Sequence, residues 1–511
     1  MSIDLRPSTP PAPLTLGTIA AACGLTTSWP GGSAQPPLSG RPTVTVTGVT
    51  HDSRAVRPGD LFAALPGAHA HGATYAEQAA SLGAVAVLTD PAGAEMVGDL
   101  PVLLADDPRE ALGCVAAEIY GHPARDLLLI GVTGTNGKST TVHLLEAGLR
   151  AAGHKTGIIG TTGVRIGDRN VPNERTTPEA TDLHALLAHM REEGVTAVAM
   201  EVSSHALVLG RVNGVVYDIA IFTQLSQDHL DFHGTMEDYF AAKADLFTPA
   251  RSRRAVIGVD GMWGRRLADQ CEIPQITYAL DHDANVVCSS VVTGPTGQTL
   301  SIRDDSGGAF DVGVGLPGRF NAANALGSWA ALRDAGISPE VLATAMSGVH
   351  VPGRMEIIDV GQDFTAIVDY AHSPDAVERV ISAVIPRGRR IVVLGCGGNR
   401  DREKRYAMGD VAAAGADILF VTDDNPRSED PAAIRAAMLA GAHAVGGDIR
   451  EIGDRGEAVA AAVAVAQPGD VLLLLGKGHE SGQEVAGVIT PFDDREVLRA
   501  AIREGVDRGR G

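Results

Sequence analysis

The chain has 511 residues, of which 44% are hydrophobic, and it carries a formal net charge of −20. This length predicts about three globular domains, and so acidic a surface repels phosphate backbones, which disfavours a nucleic-acid partner. The five cysteines are odd in number and show no CxxC or Cys/His spacing, so we expect no disulfide framework, no structural zinc and a reducing cytoplasm. The N-terminus has no signal-peptide pattern and the apolar runs are too short to span a bilayer, so we expect no membrane association.

The order of predicted elements indicates an α/β fold. A Pro/Gly/Ser-rich opening and the terminal EGVDRGRG are predicted to lie outside regular structure. From residue 44 onward, short apolar strands alternate with helices. In the middle of the chain, DLLLIGVT (126–133) and TAVAMEVS (196–203) are predicted strands, and 138–153 and 236–247 are predicted helices.

The same alternation restarts after VPGRME, which predicts a further domain. Its predicted strands are FTAIVDY (364–370), RRIVVLGC (389–396), DILFVTDD (417–424) and DVLLLLGKG (470–478), with a helix over 430–445. Alternating strands and helices predict parallel sheets. We therefore predict three α/β domains, 1–122, 123–351 and 352–511.

The segment GVTGTNGKSTT (131–141) is the strongest local signal. It follows a predicted strand and opens a predicted helix, which is typical of a loop whose backbone N–H groups bind phosphate. It departs from GxxxxGK[ST] because Val132 occupies the first glycine position. Lys138 adds a positive charge, and Ser139 or Thr140 can bind magnesium. The predicted ATP contacts of this loop are Gly134, Thr135, Asn136, Gly137, Lys138, Ser139 and Thr140.

The segment VTDDNPRSED (421–430) places one arginine, Arg427, among acids at the end of a predicted strand. Asn-Pro is a common turn, and Pro431 suits the first turn of a helix. Taken alone, the segment therefore allows two interpretations. It is a solvated turn, or it is a site at which Arg427 binds an anion.

The segment GTNGKST resembles the ATP loop of the Mur ligases and of their relative folylpolyglutamate synthase. Further motifs follow in the order typical of that family. They are MEVSSHAL (200–207), FTQLSQDHLDFHGTMEDYFAAKADLF (222–247), LPGRFNAANAL (316–326), VPGRMEII (351–358), VDYAHSPDA (368–376), GCGGNRDREKRYAMG (395–409), DNPR (424–427) and GKGHE (476–480). The resemblance implies a UDP-sugar-binding N-terminal domain, a central ATPase domain and a Rossmann-like C-terminal domain.

The resemblance also implies an activity. ATP would activate UDP-N-acetylmuramoyl-L-alanyl-D-glutamate as an acyl phosphate, and the amine of meso-2,6-diaminopimelate would attack it, in cytoplasmic peptidoglycan precursor synthesis. In this family DNPR marks enzymes that add diaminopimelate. Folylpolyglutamate synthase would lack both DNPR and a UDP-binding domain, and a nucleotide-dependent switch would not need an amino-acid pocket. We expect a monomer, although no motif bears on the oligomeric state.

The matching motifs imply residues for the metal and nucleotide. Glu201 and His229 match magnesium ligands alongside Ser139, and Lys243 matches a lysine that carbon dioxide carbamylates, so that it orients a second magnesium. Taken alone, Glu201 is equally a helix cap, His229 a structural histidine and Lys243 a side chain that reaches solvent. Three further residues match nucleotide contacts, namely Asn321, Arg354 and Asp369.

The resemblance implies two further sets of ligand contacts. Those for the UDP-sugar dipeptide are Ser53, Ala68, His69, Ala70, Thr176, Thr177, Ser203 and Arg211. Those for diaminopimelate are Arg400, Asp424, Asn425, Pro426, Arg427, Gly476 and Glu480. L-Lysine would leave Arg427 buried without an anion, which predicts a roughly thousandfold preference for diaminopimelate. Two residues depart from the family pattern, since Gln224 replaces Asn and Asn399 replaces Asp.

Overall fold

A computed structural model describes residues 6–9, 11–29, 43–67, 69–171, 173, 175–294, 297–305, 307–399 and 401–509. Within these residues the chain forms three α/β domains, built on sheets of five, eleven and six strands. The predicted fold class is confirmed. No helix in this part of the chain is long and apolar enough to cross a membrane.

The N-terminal domain has a five-stranded sheet in the order β2-β7-β6-β5-β4, in which β4 to β7 run parallel. Its strands are β1 (Leu14–Thr15), β2 (Thr26–Ser28), β3 (Thr45–Val46), β4 (Gly48–Thr50), β5 (Asp60–Ala63), β6 (Ala86–Thr89) and β7 (Val102–Leu104). Its helices are α1 (Leu16–Cys23), α2 (Ala76–Ser81), α3 (Pro91–Ala94) and α4 (Pro108–Ile119). Leu61 and Leu88 on the central strands are fully buried, so the core lies between this sheet and α4.

The central domain has an eleven-stranded sheet whose core, β9-β12-β8-β13-β14-β15-β16, is parallel. Its strands are β8 (Leu128–Thr133), β9 (Thr156–Gly160), β10 (Gly163–Ile166), β11 (Arg169–Val171), β12 (Ala197–Glu201), β13 (Tyr217–Phe222), β14 (Ser252–Gly258), β15 (Gln275–Ala279), β16 (Val286–Thr293), β17 (Gln298–Asp304) and β18 (Ala309–Val314). Its helices are α5 (Lys138–Ala151), α6 (Ala180–Glu192), α7 (Ser204–Val208), α8 (Leu230–His233), α9 (Met236–Ala244), α10 (Met262–Gln270), α11 (Arg319–Asp334) and α12 (Pro339–Ala345). Apolar clusters cover both sheet faces, as parallel strands require.

The C-terminal domain has a six-stranded sheet in the order β19-β20-β24-β21-β22-β23, in which only β19 is antiparallel. Its strands are β19 (Glu356–Ile357), β20 (Thr365–Asp369), β21 (Arg390–Leu394), β22 (Ile418–Val421), β23 (Asp448–Glu451) and β24 (Val471–Leu475), and a separate hairpin is formed by β25 (Gly482–Val485) and β26 (Val488–Pro491). Its helices are α13 (Pro374–Ala383), α14 (Lys404–Gly415), α15 (Pro431–Val445), α16 (Arg455–Val465) and α17 (Asp494–Gly509). The carboxyl ends of β20, β21, β22 and β24 therefore meet at one edge of the sheet, where α/β folds bind ligands.

The strands and helices predicted in the middle and C-terminal parts of the chain are confirmed, with ends shifted by up to three residues. The shift is three at the ends of β22 and β24, and where the helix predicted over 236–247 ends in a separate 3₁₀ turn. Two expectations are wrong. The tail EGVDRGRG does not leave regular structure at once, because α17 continues to Gly509. Cys23 and Cys114 form a disulfide across 91 residues. The packing of α1 against α4 brings these cysteines together, and their sequence spacing gives no sign of that contact.

Candidate active site

The loop after β8 has the geometry of a phosphate cradle. β8 lies between β12 and β13, so the loop emerges at the carboxyl edge of the parallel sheet. Gly134 and Gly137 have φ of 146° and 90°, which other residues rarely adopt. A Cβ at Gly134 would overlap the Thr223 hydroxyl. The chain can therefore turn here only with glycine, and α5 begins directly at Lys138.

Two lysines converge on this loop. The Nζ atoms of Lys138 and Lys243 each donate to the Gly134 carbonyl at 2.9 Å, and Lys138 also donates to Thr135 O at 2.8 Å. Lys243 is only 1% exposed, so it does not reach solvent. Burial lowers the pKa of both amines, and the neighbouring Lys138 charge lowers the pKa of Lys243 further, to well below its ordinary value. Lys243 is therefore predisposed to the neutral form.

Glu201 ends β12 with its carboxylate facing the same loop. Its Oε1 accepts from Ser139 Oγ at 2.8 Å and from Thr161 N at 2.9 Å, and its Oε2 accepts from Thr161 Oγ1 at 3.1 Å. Glu201 is not a helix cap, because Ser203 caps α7. A buried carboxylate oxygen and a hydroxyl 2.8 Å apart are suitable donors for a hard cation.

His229 stands in a left-handed conformation, with φ of 53°. Its ring centroid lies 4.9 Å from that of His205 and 6.2 Å from that of Tyr239. Burial lowers its pKa to about 4, so the imidazole is neutral and can ligate a metal. Tyr239 links this histidine to the loop, since its hydroxyl lies 3.2 Å from Thr135 Oγ1 and its ring 4.7 Å from Lys243 Nζ.

The predicted metal ligands do not form one cluster. Within the part of the chain that the structure describes, no three His, Cys, Asp or Glu side chains converge as a metal site. Ser139 and Glu201 form one group, and His229 lies beside Tyr239 and Lys243. Each position supplies only part of a magnesium ligand set, so an ion held at either would need further oxygen ligands from outside the protein.

A cleft of about 1320 Å³ lies between the central and C-terminal domains. Arg354 stacks over Tyr370, with 4.4 Å between its guanidinium carbon and the ring centroid, and its Nη2 lies 3.4 Å from Ser139 Oγ. Asp369 accepts from Met355 N at 2.7 Å and from Ala371 N at 2.8 Å, while burial raises its pKa. The cleft is lined by six predicted nucleotide contacts, namely Asn136, Gly137, Thr140, Asn321, Arg354 and Asp369.

Gln224, one of the two departures from the family pattern, also lines this cleft. Its Nε2 is buried without a hydrogen-bond partner among the described residues, and its backbone carbonyl accepts from Thr135 N at 2.8 Å. Gln224 therefore supports the loop through its backbone.

Asp375, at the start of α13, was not singled out by the sequence analysis. Its Oδ2 accepts from Asn136 Nδ2 at 3.1 Å and from Ser226 Oγ at 3.0 Å. A carboxylate of the C-terminal domain thus binds the phosphate loop directly. The motif VDYAHSPDA contains Asp375, but only the spatial contact with a loop 239 residues away identifies its role.

The predicted UDP-sugar contacts fall into two regions. Ser53 donates to Gln78 at 3.1 Å, and the turn at His69 and Ala70 is exposed. Ala68 lies outside the described residues. In the central domain, Thr176 Oγ1 lies 3.1 Å from Thr161 Oγ1. These side chains remain accessible for a ligand.

Thr177 and Arg211 are held by protein groups. Thr177 is fully buried and donates to Glu201 O at 2.9 Å, and Ser203 N donates to Thr177 Oγ1 at 3.1 Å. Arg211 Nε lies 2.8 Å from Glu179, a carboxylate that Arg175 and Arg109 also contact. Three arginines around Glu179 leave an excess of positive charge, which suits an anionic substrate.

The loop Asp424–Arg427 faces GKGHE across the carboxyl edge of the C-terminal sheet. Lys477 is fully buried, and its Nζ donates to Asn425 Oδ1 at 3.1 Å and to Glu480 Oε2 at 3.2 Å. Asn425 Nδ2 donates to Glu480 at 2.8 Å, so its amide is fixed. Burial raises the pKa of Glu480. The sequence analysis missed Lys477, whose neighbours in the chain give no sign of its buried partners.

At two glycines of this pocket, Gly476 and Gly398, the backbone lies so close to neighbouring groups that a side chain would not fit. A Cβ at Gly476 would lie 2.8 Å from Asp424 Oδ2, and one at Gly398 would overlap the Pro426 carbonyl. Asp424 Oδ1 is buried without a hydrogen-bond partner among the described residues. The Lys477 ammonium lies 3.6 Å from this oxygen, too far for a hydrogen bond, so the oxygen can still accept from an ammonium group. Arg400, the other predicted cation, lies outside the described residues.

Arg427 is neither a solvated turn residue nor a fully buried one. Its side chain is 24% exposed, its φ is 54°, and its Nη1 donates to Gly398 O at 2.7 Å. Its Nε lies 3.5 Å from Glu484 Oε2. The expectation of an arginine buried without an anion is therefore wrong, because the hairpin β25–β26 supplies a carboxylate.

Asn399, the second departure, ties two loops together. It adopts φ of 52°, which asparagine tolerates better than most residues. Its Nδ2 donates to Ser428 Oγ at 2.8 Å, and its backbone N donates to Glu429 at 2.5 Å. The side-chain amide of Asn399 donates this hydrogen bond to Ser428, which an aspartate carboxylate could not do.

Three family descriptions match this chain along most of its length. They are "Mur ligase family, catalytic domain" over 45–120, "Mur ligase middle domain" over 132–332 and "Mur ligase, glutamate ligase domain" over 353–478. Each of the three matches therefore lies on a different sheet of the fold.

Two proteins called UDP-N-acetylmuramoyl-L-alanyl-D-glutamate–2,6-diaminopimelate ligase resemble about nine-tenths of the chain. The one from Streptomyces coelicolor is 53% identical over 470 residues, covering 90% of this chain and 93% of that protein. The one from Corynebacterium glutamicum is 49% identical, covering 89% and 91%.

Solved structures agree with this relationship. A structure of a ligase with the same name superposes with a TM-score of 0.68 at 31% identity, covering 97% of this chain and 100% of that one. The fold is also shared by the MurF ligase of Thermotoga maritima in complex with ADP, with a TM-score of 0.64 at 17% identity over 90% and 98% of the chains. The chain therefore belongs to the Mur ligase family of ATP-dependent ligases.

Proposed function

We propose that this chain is an acid–amino-acid ligase that adds meso-2,6-diaminopimelate to UDP-N-acetylmuramoyl-L-alanyl-D-glutamate with ATP. One observation carries the choice of amino acid. Arg427 lies on the same loop as Asp424 and as Asn425, which bonds Glu480, so a cation and two acids lie at one edge of the sheet, and Lys477 pairs with both acids. Diaminopimelate carries two ammonium and two carboxylate groups, which such a pocket complements. The names of the relatives support the same substrate.

The proposed reaction has two steps. The terminal phosphoryl group of ATP passes to the substrate's carboxylate oxygen, which gives an acyl phosphate and ADP. The diaminopimelate nitrogen then attacks the carbonyl carbon, loses a proton, and phosphate leaves as the C–O bond breaks. Negative charge builds on phosphoryl and carbonyl oxygens, so Lys138, Arg354 and the loop N–H groups act by stabilising that charge.

The proposed magnesium sites follow from the donors present. Ser139 and Glu201 would hold one ion, while His229 and carbamylated Lys243 would orient a second. The bound ions would neutralise phosphate charge. The proposed nucleotide contacts are the loop residues with Asn321, Arg354 and Asp369 at the cleft.

Carbamylation of Lys243 is supported by its surroundings. Carbon dioxide adds to a neutral amine, forming an N–C bond and releasing one proton, and burial beside Lys138 favours that neutral amine. The product is an anion beside the Lys138 ammonium. The modification thus replaces a neutral amine by a carbamate that Lys138 attracts.

We propose the remaining assignments on the same basis. Thr177 positions Ser203. The proposed contacts of the UDP-sugar dipeptide are Ser53, Ala68, His69, Ala70, Thr176, Ser203 and Arg211.

Domain boundaries lie near residues 122 and 352, and the enzyme is a monomer. The cytoplasm is proposed because ATP and UDP-sugars are made there. The cysteine pattern no longer supports that location, given the Cys23–Cys114 disulfide.

The function is tested by measuring phosphate release and product mass with each substrate omitted in turn. We expect turnover only when ATP, the UDP-muramoyl dipeptide and diaminopimelate are all present. Constant ATP hydrolysis without the other two would instead indicate a nucleotide switch.

The amino-acid assignment is tested with Arg427→Ala. Because Glu484 already pairs with Arg427, we expect the wild type to prefer diaminopimelate over L-lysine by roughly tenfold to a hundredfold in kcat/KM, the range for charge-assisted hydrogen bonds. Arg427→Ala should remove most of that preference. Arg450→Ala, which breaks the pair with Asp448 on β23, is the matched control. A wild type that uses both amino acids equally would refute the assignment.

A further inference from the structure

The hairpin β25–β26 is fastened to the loop that carries Arg427. Arg427 N donates to Glu484 O at 3.0 Å, and Ala486 N donates to Arg427 O at 2.6 Å. Glu484 N donates to Asn425 Oδ1 at 3.0 Å, and Gln483 Nε2 donates to Asp424 O at 2.7 Å. These four bonds hold Arg427 in its left-handed conformation, so the hairpin sets the direction of its side chain.

The Glu484 side chain contacts the same arginine. Its Oε2 lies 3.5 Å from Arg427 Nε, and its carboxylate has no other ionic partner among the described residues. Arg427 Nη1 is already engaged by Gly398 O. Among the described residues, Nη1 is the guanidinium nitrogen with a hydrogen bond, and Nε makes only the longer ion contact of 3.5 Å with Glu484.

We infer that Glu484 is a specificity-determining residue, a resident counter-ion of Arg427 that an incoming substrate carboxylate must displace or share. This inference rests on the proposed function. A guanidinium binds a carboxylate best through two parallel N–H bonds. Glu484 lies on the Nε side of the guanidinium and Gly398 O engages Nη1, so a second carboxylate that binds through Nε and Nη2 must displace Glu484 or share Arg427 with it.

The counter-ion also weakens discrimination against L-lysine. In the wild type, lysine leaves Arg427 paired with Glu484, so no charge is left without a partner. Without the Glu484 charge, lysine would leave Arg427 unpaired, while diaminopimelate would meet no repulsion. Neutralising Glu484 should therefore sharpen specificity.

Glu484→Gln tests this directly, because it keeps the side-chain length and all backbone contacts. We expect KM for diaminopimelate to fall and kcat/KM for L-lysine to fall. Their kcat/KM ratio should rise by up to about fivefold, the factor that corresponds to the upper range for a partly exposed ion pair. In an Arg427→Ala background the same change should leave the ratio unaltered. Glu496→Gln, which removes an exposed acid paired with Arg499, is the control.

Two results would overturn the inference. A higher KM for diaminopimelate in Glu484→Gln would mean that Glu484 binds a substrate ammonium, and an unchanged ratio would mean that the hairpin acts only through its backbone. If Glu484→Gln folds poorly, Glu484→Asp, which withdraws the carboxylate by one methylene, must shift the ratio in the same direction. A wild type that fails to ligate diaminopimelate would refute the proposed function itself, which is a separate result.

Discussion

At the residue scale, the charge of the site depends on two lysines, Lys138 and Lys243, that share one acceptor, the Gly134 carbonyl. Lys138 and Lys243 both donate to it, so their amines lie less than two hydrogen-bond lengths apart. The repulsion energy of two positive charges at that separation is on the order of 3 kcal/mol at an effective dielectric constant near 20. Lys243, the more deeply buried lysine, is the one expected to lose its proton.

Lys243→Ala should therefore lose activity and regain part of it with added short carboxylates. The carboxylates can occupy the space of the carbamate and supply its negative charge. The measurement is the ligation rate with and without acetate, alongside a carbon-13 carbamate signal in wild-type enzyme supplied with labelled bicarbonate. Lys138→Ala, which removes a cation, should show no such rescue. If acetate fails and the carbamate signal is missing, Lys243 acts as an unmodified amine.

Lys138→Ala should reduce turnover at least a hundredfold, the scale expected when a charge-stabilising donor is removed from the reacting group. Its amine bonds only two loop carbonyls, so we expect the melting temperature to change little. Initial rates and thermal unfolding check both statements. Retention of more than a tenth of wild-type turnover would contradict the role of Lys138 on the phosphates.

The sequence predicted the residues that lie in motifs of the family, and Glu201 was predicted from that resemblance rather than from its own chemistry. Ser139 and Glu201 are 62 positions apart, yet each was predicted and the fold joins them. It missed Lys477, Glu484 and Asp375, which act on other protein groups more than 50 residues away or across a domain boundary. Such residues look like ordinary surface charges until their partners are placed beside them.

At the element scale, the buried parallel strands were predictable because each is a nearly continuous apolar run, as in VLLLL of β24. The hairpin β25–β26 was not. Its Val488 and Ile489 are exposed, so no buried face gives it an alternating pattern. It is held by bonds to the Arg427 loop rather than by a core, and only the fold reveals those bonds.

At the scale of the whole molecule, the active site is complete only when the central and C-terminal domains meet. The phosphate loop belongs to the first, while Arg354, Asp369 and the Arg427 loop belong to the second. Arg354 lies 3.4 Å from Ser139, and Asp375 binds Asn136 and Ser226. Protein groups of the two domains therefore bond each other directly at the phosphate loop.

Asp375→Ala should separate nucleotide binding from ligation. The change removes two hydrogen bonds that hold the C-terminal domain on the phosphate loop, so closure weakens and kcat falls by roughly tenfold or more. It also removes a negative charge next to the position of the ATP phosphates, so ATP should bind equally well or more tightly. Calorimetric titration with ATP and steady-state rates measure the two effects, and solution scattering should show a larger radius of gyration. Asp448→Ala, which removes an acid paired with Arg450 on β23, is the control. Weaker ATP binding with an unchanged kcat would show that Asp375 supports the loop rather than the closure of the domains.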